Sequence, residues 1–139
     1  MDQSKENQPA APEGATQAPS DYFTGITWVK TLVPANDQTD CVVSDVTFEA
    51  GARNNWHTHP NGQILVVTAG TGYYQEQGRP IQLLRVGEAV NIAPGLVHWH
   101  GATPDSRFTH IAINPNASKG GAVNWLQAVT DEEYHSYQG

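Results

Sequence analysis

The chain has 139 residues, 13 glycines, 9 prolines, one cysteine and a formal net charge of −7. This acidic balance, without a basic stripe, argues against nucleic acid and anionic membranes as partners, and one cysteine excludes an internal disulfide. The length predicts one domain, and no apolar run reaches the roughly 18 residues of a membrane helix.

The first 20 residues are predicted to form a flexible polar tail. Residues 3–20 are rich in Pro, Ala, Gln and Ser and contain no large apolar side chain, so they cannot bury enough surface to offset the entropy of ordering. We expect one domain over residues 21–139, with an arm that swaps onto a partner as a second interpretation of the tail. No basic-then-apolar signal segment is present, but a tail of this kind also follows cleaved export signals, so cytoplasmic and periplasmic locations both stay open.

Short strand-like runs separated by Gly and Pro turns follow in chain order. The predicted strands cover residues 26–33, 41–49, 53–59, 63–69, 73–76, 81–85, 89–93, 96–100 and 108–114. Residues 63–69 are apolar on both faces, which predicts a central strand. Regular short strands of this kind are typical of an all-β sandwich or barrel.

The pattern changes to a helical one near the C-terminus. The apolar residues there are spaced like one helix face: Val123, Trp125, Leu126 and Val129. Thr130 is a candidate N-cap, and Glu133 stands at the capping-box position. We therefore predict a short helical segment over about residues 122–137, packed on the outside of the barrel.

Four side chains on the predicted strands are candidate metal ligands: His57, His59, Gln63 and His98. His57 and His59 are two residues apart, so they face the same side of a strand. Three imidazoles and one amide oxygen suit Mn, Fe, Co, Ni or Zn. Two alternatives stay open: the histidines only line the barrel, or Gln63 forms hydrogen bonds near the site without touching the ion.

Other side chains can be placed by the same alternation. His100 should face the cavity with His98, and His110 shares a strand face with Asn114. An imidazole suits proton transfer near neutral pH, although a buried histidine satisfied by its neighbours is the alternative for both. Trp56 and Trp99 point away from the ligands and should pack under the strands, and Arg53 is expected at the surface or the rim.

Two spacings in the chain resemble the two cupin motifs. They are Gly51-x5-His57-x-His59-x3-Gln63-x6-Gly70 and Gly87-x5-Ala93-Pro94-Gly95-x2-His98. The resemblance spans residues 44–113 and implies a double-stranded β-helix, the cupin or jelly-roll barrel, closed around a metal, with a short C-terminal helix. Gln63 stands where cupins usually have a glutamate, and Ala93 stands where they usually have a proline.

A narrower resemblance covers most of the predicted domain. Its segments are Phe23-Thr-Gly25, Val46-Thr-Phe-Glu-Ala-Gly-Ala-Arg53, Trp56-His-Thr-His-Pro60, His98-Trp-His-Gly-Ala102, Thr109-His-Ile-Ala112 and Trp125…Val129-Thr-Asp-Glu-Glu-Tyr134. They are similar to small single-domain cupins of the cupin_2 type, which include bacterial manganese-dependent hydroxynitrile lyases and carboxymuconolactone-decarboxylase-like cupins. Those lyases use three His and one Gln around the metal. The resemblance therefore implies that Gln63 is a ligand and that manganese is the favoured metal, with Fe, Zn, Ni and Co open.

The resemblance also assigns roles around the metal. It implies that His110 is the general base, with His100 beside it, and that Ser44, Val46 and Asn114 line the substrate pocket. Asn114 stands where we would expect a glutamine, so the substrate range is open.

The predicted function is a hydroxynitrile-lyase-like enzyme that acts on a small hydroxy or carbonyl compound, with a Lewis-acid metal and a histidine base. The alternatives are an iron-dependent cupin dioxygenase and a non-catalytic module that binds a small ligand. Because cupins commonly pair their sheet edges, and open edges are a hazard, we expect a homodimer or homotetramer.

Overall fold

The computed structural model describes residues 10–36, 38–119, 121 and 123–139. In these ranges the strands are β1 (Thr16–Gln17), β2 (Phe23–Thr24), β3 (Thr27–Val33), β4 (Cys41–Phe48), β5 (Arg53–Asn54), β6 (His57–Thr58), β7 (Gln63–Gly70), β8 (Gly72–Glu76), β9 (Gln82–Leu84), β10 (Ala89–Ile92), β11 (His98–Ala102), β12 (Phe108–Pro115) and β13 (Asn124–Trp125). One helix, α1 (Asp131–Tyr134), follows them. Within the described ranges, no helix has the length and apolarity needed to span a membrane.

The strands form two antiparallel sheets that curl into a half-barrel. The first sheet has the order β1-β3-β4-β12-β7-β10. In the second sheet, β11 pairs on one side with β5 and β6. On its other side it pairs with β8, which in turn pairs with β9. Strand β2 pairs with β5, and β13 pairs with β6. The all-β fold class predicted from the sequence is confirmed.

The interior of the half-barrel follows from period-two alternation along the strands. In β7, the side chains of Gln63, Leu65 and Val67 are buried, and in β12 those of Phe108 and His110 are buried. The central apolar cluster also includes Val46, Phe48, Tyr74, Leu84, Ile92 and Ala112. The inward face of the first sheet is therefore mainly apolar, with Gln63 and His110 as buried polar positions on it.

A bulge between β7 and β12 sets which side chains share that face. Thr109 lies opposite Ala69, but His110 lies opposite Val67, so Thr68 has no opposite residue. Bulges of this kind re-aim a side chain and often lie next to functional sites. Here the extra residue lies in β7, and Val67 and His110, which lie opposite each other beyond it, are both buried.

The N-terminal segment differs from the predicted loose tail where it reaches the sheet. Residues 1–9 lie outside the described residues. Thr16 and Gln17 form β1 and pair with Val29 and Trp28 of β3, with both β1 side chains exposed. These two residues stay out of the core, but backbone pairing at the edge of the first sheet gives them a fixed place.

The predicted C-terminal helix is wrong over its first part. Asn124–Trp125 is a strand, in which Trp125 lies opposite His57 of β6. Beside it, the Leu126 amide donates to the Trp56 carbonyl at 2.8 Å, and the Trp56 amide donates to the Gln127 carbonyl at 3.0 Å. These backbone bonds outweigh the helix-like spacing of a few apolar residues. Residue 122, where the predicted segment began, lies outside the described residues.

The predicted cap of the helix is confirmed. The Glu133 amide donates to Thr130 Oγ1 at 3.0 Å, and the Thr130 amide donates to Glu133 Oε1 at 2.9 Å. This reciprocal pair satisfies two donors that a helix N-terminus otherwise leaves unbonded. The helix is short, covering only Asp131–Tyr134.

A second apolar cluster lies between the outer side of the second sheet and the C-terminal segment. It contains Trp56, Tyr73, Ile81, Trp99, Val129 and Tyr134. Trp56 and Trp99 alternate with the candidate ligands along the chain, so their predicted packing away from the ligands is confirmed. The Tyr134 hydroxyl donates to the Ala102 carbonyl at 2.5 Å and so ties the helix to β11.

Arg53 is buried, contrary to the expectation of a surface or rim position. Only 5% of the residue is exposed. Its Nη2 donates to the Val129 carbonyl at 3.0 Å and to Asp131 Oδ1 at 2.7 Å, and its guanidinium carbon lies 4.5 Å from the centre of the Tyr134 ring. The C-terminal segment covers the side chain and supplies the partners that make its burial tolerable.

Replacing Arg53 with methionine is expected to lower the free energy of unfolding by about 2–3 kcal/mol, because it removes a charge-assisted hydrogen bond and a cation–π contact. Asp131→Asn is expected to have little effect, because the Asp131 side chain is 87% exposed and exposed ion pairs contribute little. Urea denaturation of both variants measures the difference. Equal losses in the two variants would contradict this account.

Candidate metal centre

A cavity of about 180 Å³ lies between the two sheets. The predicted site residues that line it are Ser44, Val46, His57, His59, Gln63, His100, His110 and Asn114. His98, the remaining predicted ligand, is fully buried beside them. Five of the six histidines therefore lie in one region, and all five are buried.

The orientations of His57 and His98 are set by backbone carbonyls. His57 Nδ1 donates to the Asn55 carbonyl at 2.7 Å, and His98 Nδ1 donates to the Leu96 carbonyl at 2.9 Å. Each ring therefore keeps the lone pair on Nε2, and the two ring centroids are 4.2 Å apart. Metal-binding histidines commonly donate their other ring N–H to a carbonyl in this way. In the described part of the chain, His98 Nε2 has no hydrogen-bond partner.

Gln63 reaches the same region from the other sheet. Its Nε2 donates to Asn114 Oδ1 at 2.9 Å. Its Oε1 is buried and has no hydrogen-bond partner among the described residues. An unpaired buried oxygen is costly, and coordination of a cation would satisfy it.

Three buried histidines bring donor atoms close together. Ligand atoms of His57, His98 and His100 all lie within 4.8 Å of one another, so this group could hold a divalent metal. The ring centroid of His59 is 5.0 Å from that of His57 and 5.6 Å from that of His98. The structure thus brings the donor atoms of His57, His98 and His100 together, with the His59 ring nearby, and Gln63 lines the same cavity.

His100 and His110 contact each other directly. His110 Nε2 lies 3.1 Å from His100 Nδ1. The His100 amide donates to Asn54 Oδ1 at 2.9 Å, and the Asn54 amide nitrogen is 3.2 Å from His100 Nε2. Phe48 packs edge-on against His100, with ring centroids 5.7 Å apart. A hydrogen-bonded pair of imidazoles in an apolar wall can hold and pass one proton.

Burial keeps four of the clustered imidazoles, those of His57, His98, His100 and His110, neutral near pH 7. It lowers the pKa of His98 and of His110 to about 4. Burial, followed by the neighbouring imidazoles, holds the pKa of His57 and of His100 well below the usual range. Neutral imidazoles are the form that a metal ligand and a general base require.

The metal-free protein is expected to lose stability as the pH falls below about 6.5. An unfolded histidine binds a proton near pH 6.5, whereas folded His98 and His110 do so only near 4. The unfolded state therefore binds more protons in this window, and stability is present above it and lost on acidification. At about pH 5 each of the two costs about 2 kcal/mol. Urea unfolding at about pH 7.5 and pH 5 measures this loss, and an unchanged midpoint would contradict it.

Sequence reasoning missed the aromatic part of the cavity wall. Phe23, Phe48 and Trp125 line the cavity. Phe48 follows Ser44 and Val46 at spacings of two along β4, so alternation could have identified it. Trp125 could not be found in this way, because its segment was assigned to a helix; its ring centroid lies 4.9 Å from that of His57.

Comparison with known proteins gives consistent matches. A family model described as "Cupin domain" matches residues 44–114. A protein of Granulicella tundricola named (R)-mandelonitrile lyase is 43% identical over 122 residues, covering 88% of this chain and 92% of that protein. The crystal structure of a cupin-like protein from Thermotoga maritima is 46% identical, with a TM-score of 0.86, over 94% of this chain and 99% of that chain. The structure of a DMSP lyase from Ruegeria pomeroyi, 20% identical with a TM-score of 0.63 over 81% of this chain and 61% of that chain, shares the fold.

Proposed function

Because the chain belongs to the cupin domain family, we propose that it is a metal-dependent lyase that cleaves small hydroxynitriles or closely related hydroxy compounds. The observation that carries the proposal is the contact between His100 and His110 beside the candidate metal centre. A site that only binds a ligand has no need of this pair. The 43% identity to a protein named (R)-mandelonitrile lyase, over 92% of its length, supports the same reaction class.

We propose His57, His59, Gln63 and His98 as the ligands and manganese as the favoured metal. The paired cupin spacings support this set, as do the partnerless His98 Nε2 and Gln63 Oε1 in the described part of the chain. His100 is assigned to proton transfer instead, because its Nδ1 is engaged with His110. When bound, a divalent cation at this position supplies Lewis-acid polarisation of a substrate oxygen.

The histidine pair supplies the proton chemistry. A neutral imidazole, that of His110 with His100 beside it, accepts the substrate hydroxyl proton. The O–H electron pair becomes the second bond of the new carbonyl, and the carbon–carbon bond breaks with its electrons leaving on cyanide. Because burial disfavours the imidazolium, the proton passes readily to cyanide. The products are an aldehyde or ketone and hydrogen cyanide, and the base returns to its neutral form.

The cavity wall suits the apolar part of such a substrate. Phe23, Val29 and Trp125 contribute apolar surface to the lining, and the imidazoles and Gln63 contribute polar atoms. A substrate with one polar carbon and one apolar substituent matches this combination. Ser44 and Val46, which the family resemblance assigned to the substrate pocket, also line the cavity.

Mandelonitrile cleavage by the metal-loaded protein tests the proposal. Protein stripped with a chelator and reloaded with Mn²⁺ is expected to release benzaldehyde far above the rate of the stripped protein, with or without oxygen. If no benzaldehyde appears above background at high protein concentration, the hydroxynitrile assignment is lost.

Two further measurements address the alternative functions. Oxygen uptake by the iron-loaded protein with a phenol or a diketone, absent under anaerobic conditions, would favour the dioxygenase. Tight binding of an unreacted small ligand, without turnover under any metal, would favour the binding module.

A further inference from the structure

We propose that Asn114 is a positioning residue for Gln63: it fixes which end of the Gln63 carboxamide faces the candidate metal centre. The inference rests on the proposed role of Gln63 as a ligand. It gives Asn114, which the family resemblance assigned only to the substrate pocket, a second role that links the substrate wall to the metal.

The geometry gives the two ends of the Gln63 amide different surroundings. Gln63 begins β7, and Asn114 lies near the end of β12, the neighbouring strand. The 2.9 Å hydrogen bond to Asn114 Oδ1 engages Gln63 Nε2. Gln63 Oε1 is buried, with no partner among the described residues. Only 6% of the Gln63 residue is exposed, so water offers little alternative bonding.

A fixed orientation matters because the two ends of a carboxamide have nearly the same shape and opposite hydrogen-bonding character. The oxygen can donate a lone pair to a cation, whereas the NH₂ group presents two protons that repel it. A glutamate ligand has two equivalent oxygens and does not need such control. A glutamine ligand does need it, and an acceptor placed against Nε2 supplies it. Changing such a supporting partner typically costs about 10- to 100-fold in metal affinity.

Two substitutions at Asn114 separate the effect of the hydrogen-bond acceptor on metal affinity from the effect of side-chain volume. Asn114→Leu keeps a similar size and removes the acceptor, so Mn²⁺ affinity is expected to fall about 10- to 100-fold. Asn114→Asp keeps an acceptor oxygen, so its affinity is expected to equal or exceed that of the unmodified protein. Competition against a fluorescent chelator measures both. If Asn114→Leu does not fold, Asn114→Ala replaces it as the variant that lacks the acceptor.

Asn114→Leu in a Gln63→Glu background tests whether the Gln63 amide is the reason for the loss of Mn²⁺ affinity. With a carboxylate at position 63, either oxygen can face the cation, so Asn114→Leu is expected to change Mn²⁺ affinity only a few-fold. An equal loss in both backgrounds would overturn the proposal, because Asn114 would then act through packing. Unchanged affinity of the leucine variant with Gln63 in place would also overturn it.

A measurement on the metal-free protein provides a second readout. The side-chain NH proton of Gln63 that bonds to Asn114 Oδ1 should exchange with solvent more slowly in the unmodified protein than in Asn114→Leu, as NMR hydrogen exchange measures. Identical amide exchange in the two proteins would overturn the inference. None of these results depends on lyase turnover, so a protein that fails to cleave mandelonitrile would still test the role of Asn114.

Discussion

Replacing His98 with alanine is expected to remove metal binding and lyase turnover together. His98 is fully buried, its Nδ1 is fixed by the Leu96 carbonyl, and its Nε2 has no other partner in the described part of the chain. Loss of a supporting partner alone costs about 10- to 100-fold in metal affinity, so loss of a ligand should exceed the upper end of that range. Titration with Mn²⁺ and elemental analysis of the purified variant measure the loss.

His135→Ala is the matched control for this experiment. His135 is the one histidine outside the cluster; it is exposed and caps the end of α1. This variant is expected to bind metal and turn over substrate as the unmodified protein does. Full metal occupancy in His98→Ala would contradict the proposed centre.

A comparison of His59→Ala with His100→Ala then resolves the ligand set. The cupin-like spacing of the chain favours His59, whereas the group of donor atoms that lie within 4.8 Å of one another includes His100. We expect the larger loss of metal affinity in His59→Ala. The opposite order would move His100 into the coordination sphere and leave His110 without the proposed partner.

Replacing His110 with phenylalanine is expected to lower kcat by about 10²- to 10⁴-fold, the usual contribution of a general base, while metal affinity changes only a few-fold. The new ring should be accommodated, because Phe48 and Phe108 already lie with ring centroids 5.6 Å from that of His110. Mandelonitrile cleavage and Mn²⁺ titration of the same preparation separate the two effects.

The result for His110 distinguishes a base from a structural residue. A merely structural role would reduce stability and metal affinity along with turnover. Unchanged turnover in His110→Phe would move the base to another group, with His100 the next candidate. Loss of metal affinity equal to that of His98→Ala would place His110 in the metal centre instead.

Most strands, and the faces on which their side chains lie, could be predicted from the sequence because both follow local rules. Alternation placed His57 and His59 on one face and directed Trp56 and Trp99 to the opposite side. Glycine and proline turns marked most strand ends. The cupin spacings then joined strands that are distant in the chain, which local patterns alone could not do.

The C-terminal segment could not be predicted in the same way. Its apolar spacing fits a helix, but Asn124–Trp125 pairs with β6, and that bonding depends on a strand far away in the chain. The burial of Arg53 depends on the same segment, because Val129 and Asp131 supply its partners. The hydrogen bond between Gln63 and Asn114 likewise depends on the register between β7 and β12. That register cannot be read from the sequence of either strand alone.

Strand β4 contributes no imidazole to the cavity. Ser44 and Val46 project from β4, whereas His57 and His98 belong to β6 and β11, and His110 belongs to β12, where it lies opposite Val46. Changes at the β4 side chains can therefore reshape the space for an organic molecule without altering a strand that carries an imidazole. This separation makes β4 the natural place for evolution, or for a protein engineer, to broaden or narrow the range of accepted molecules.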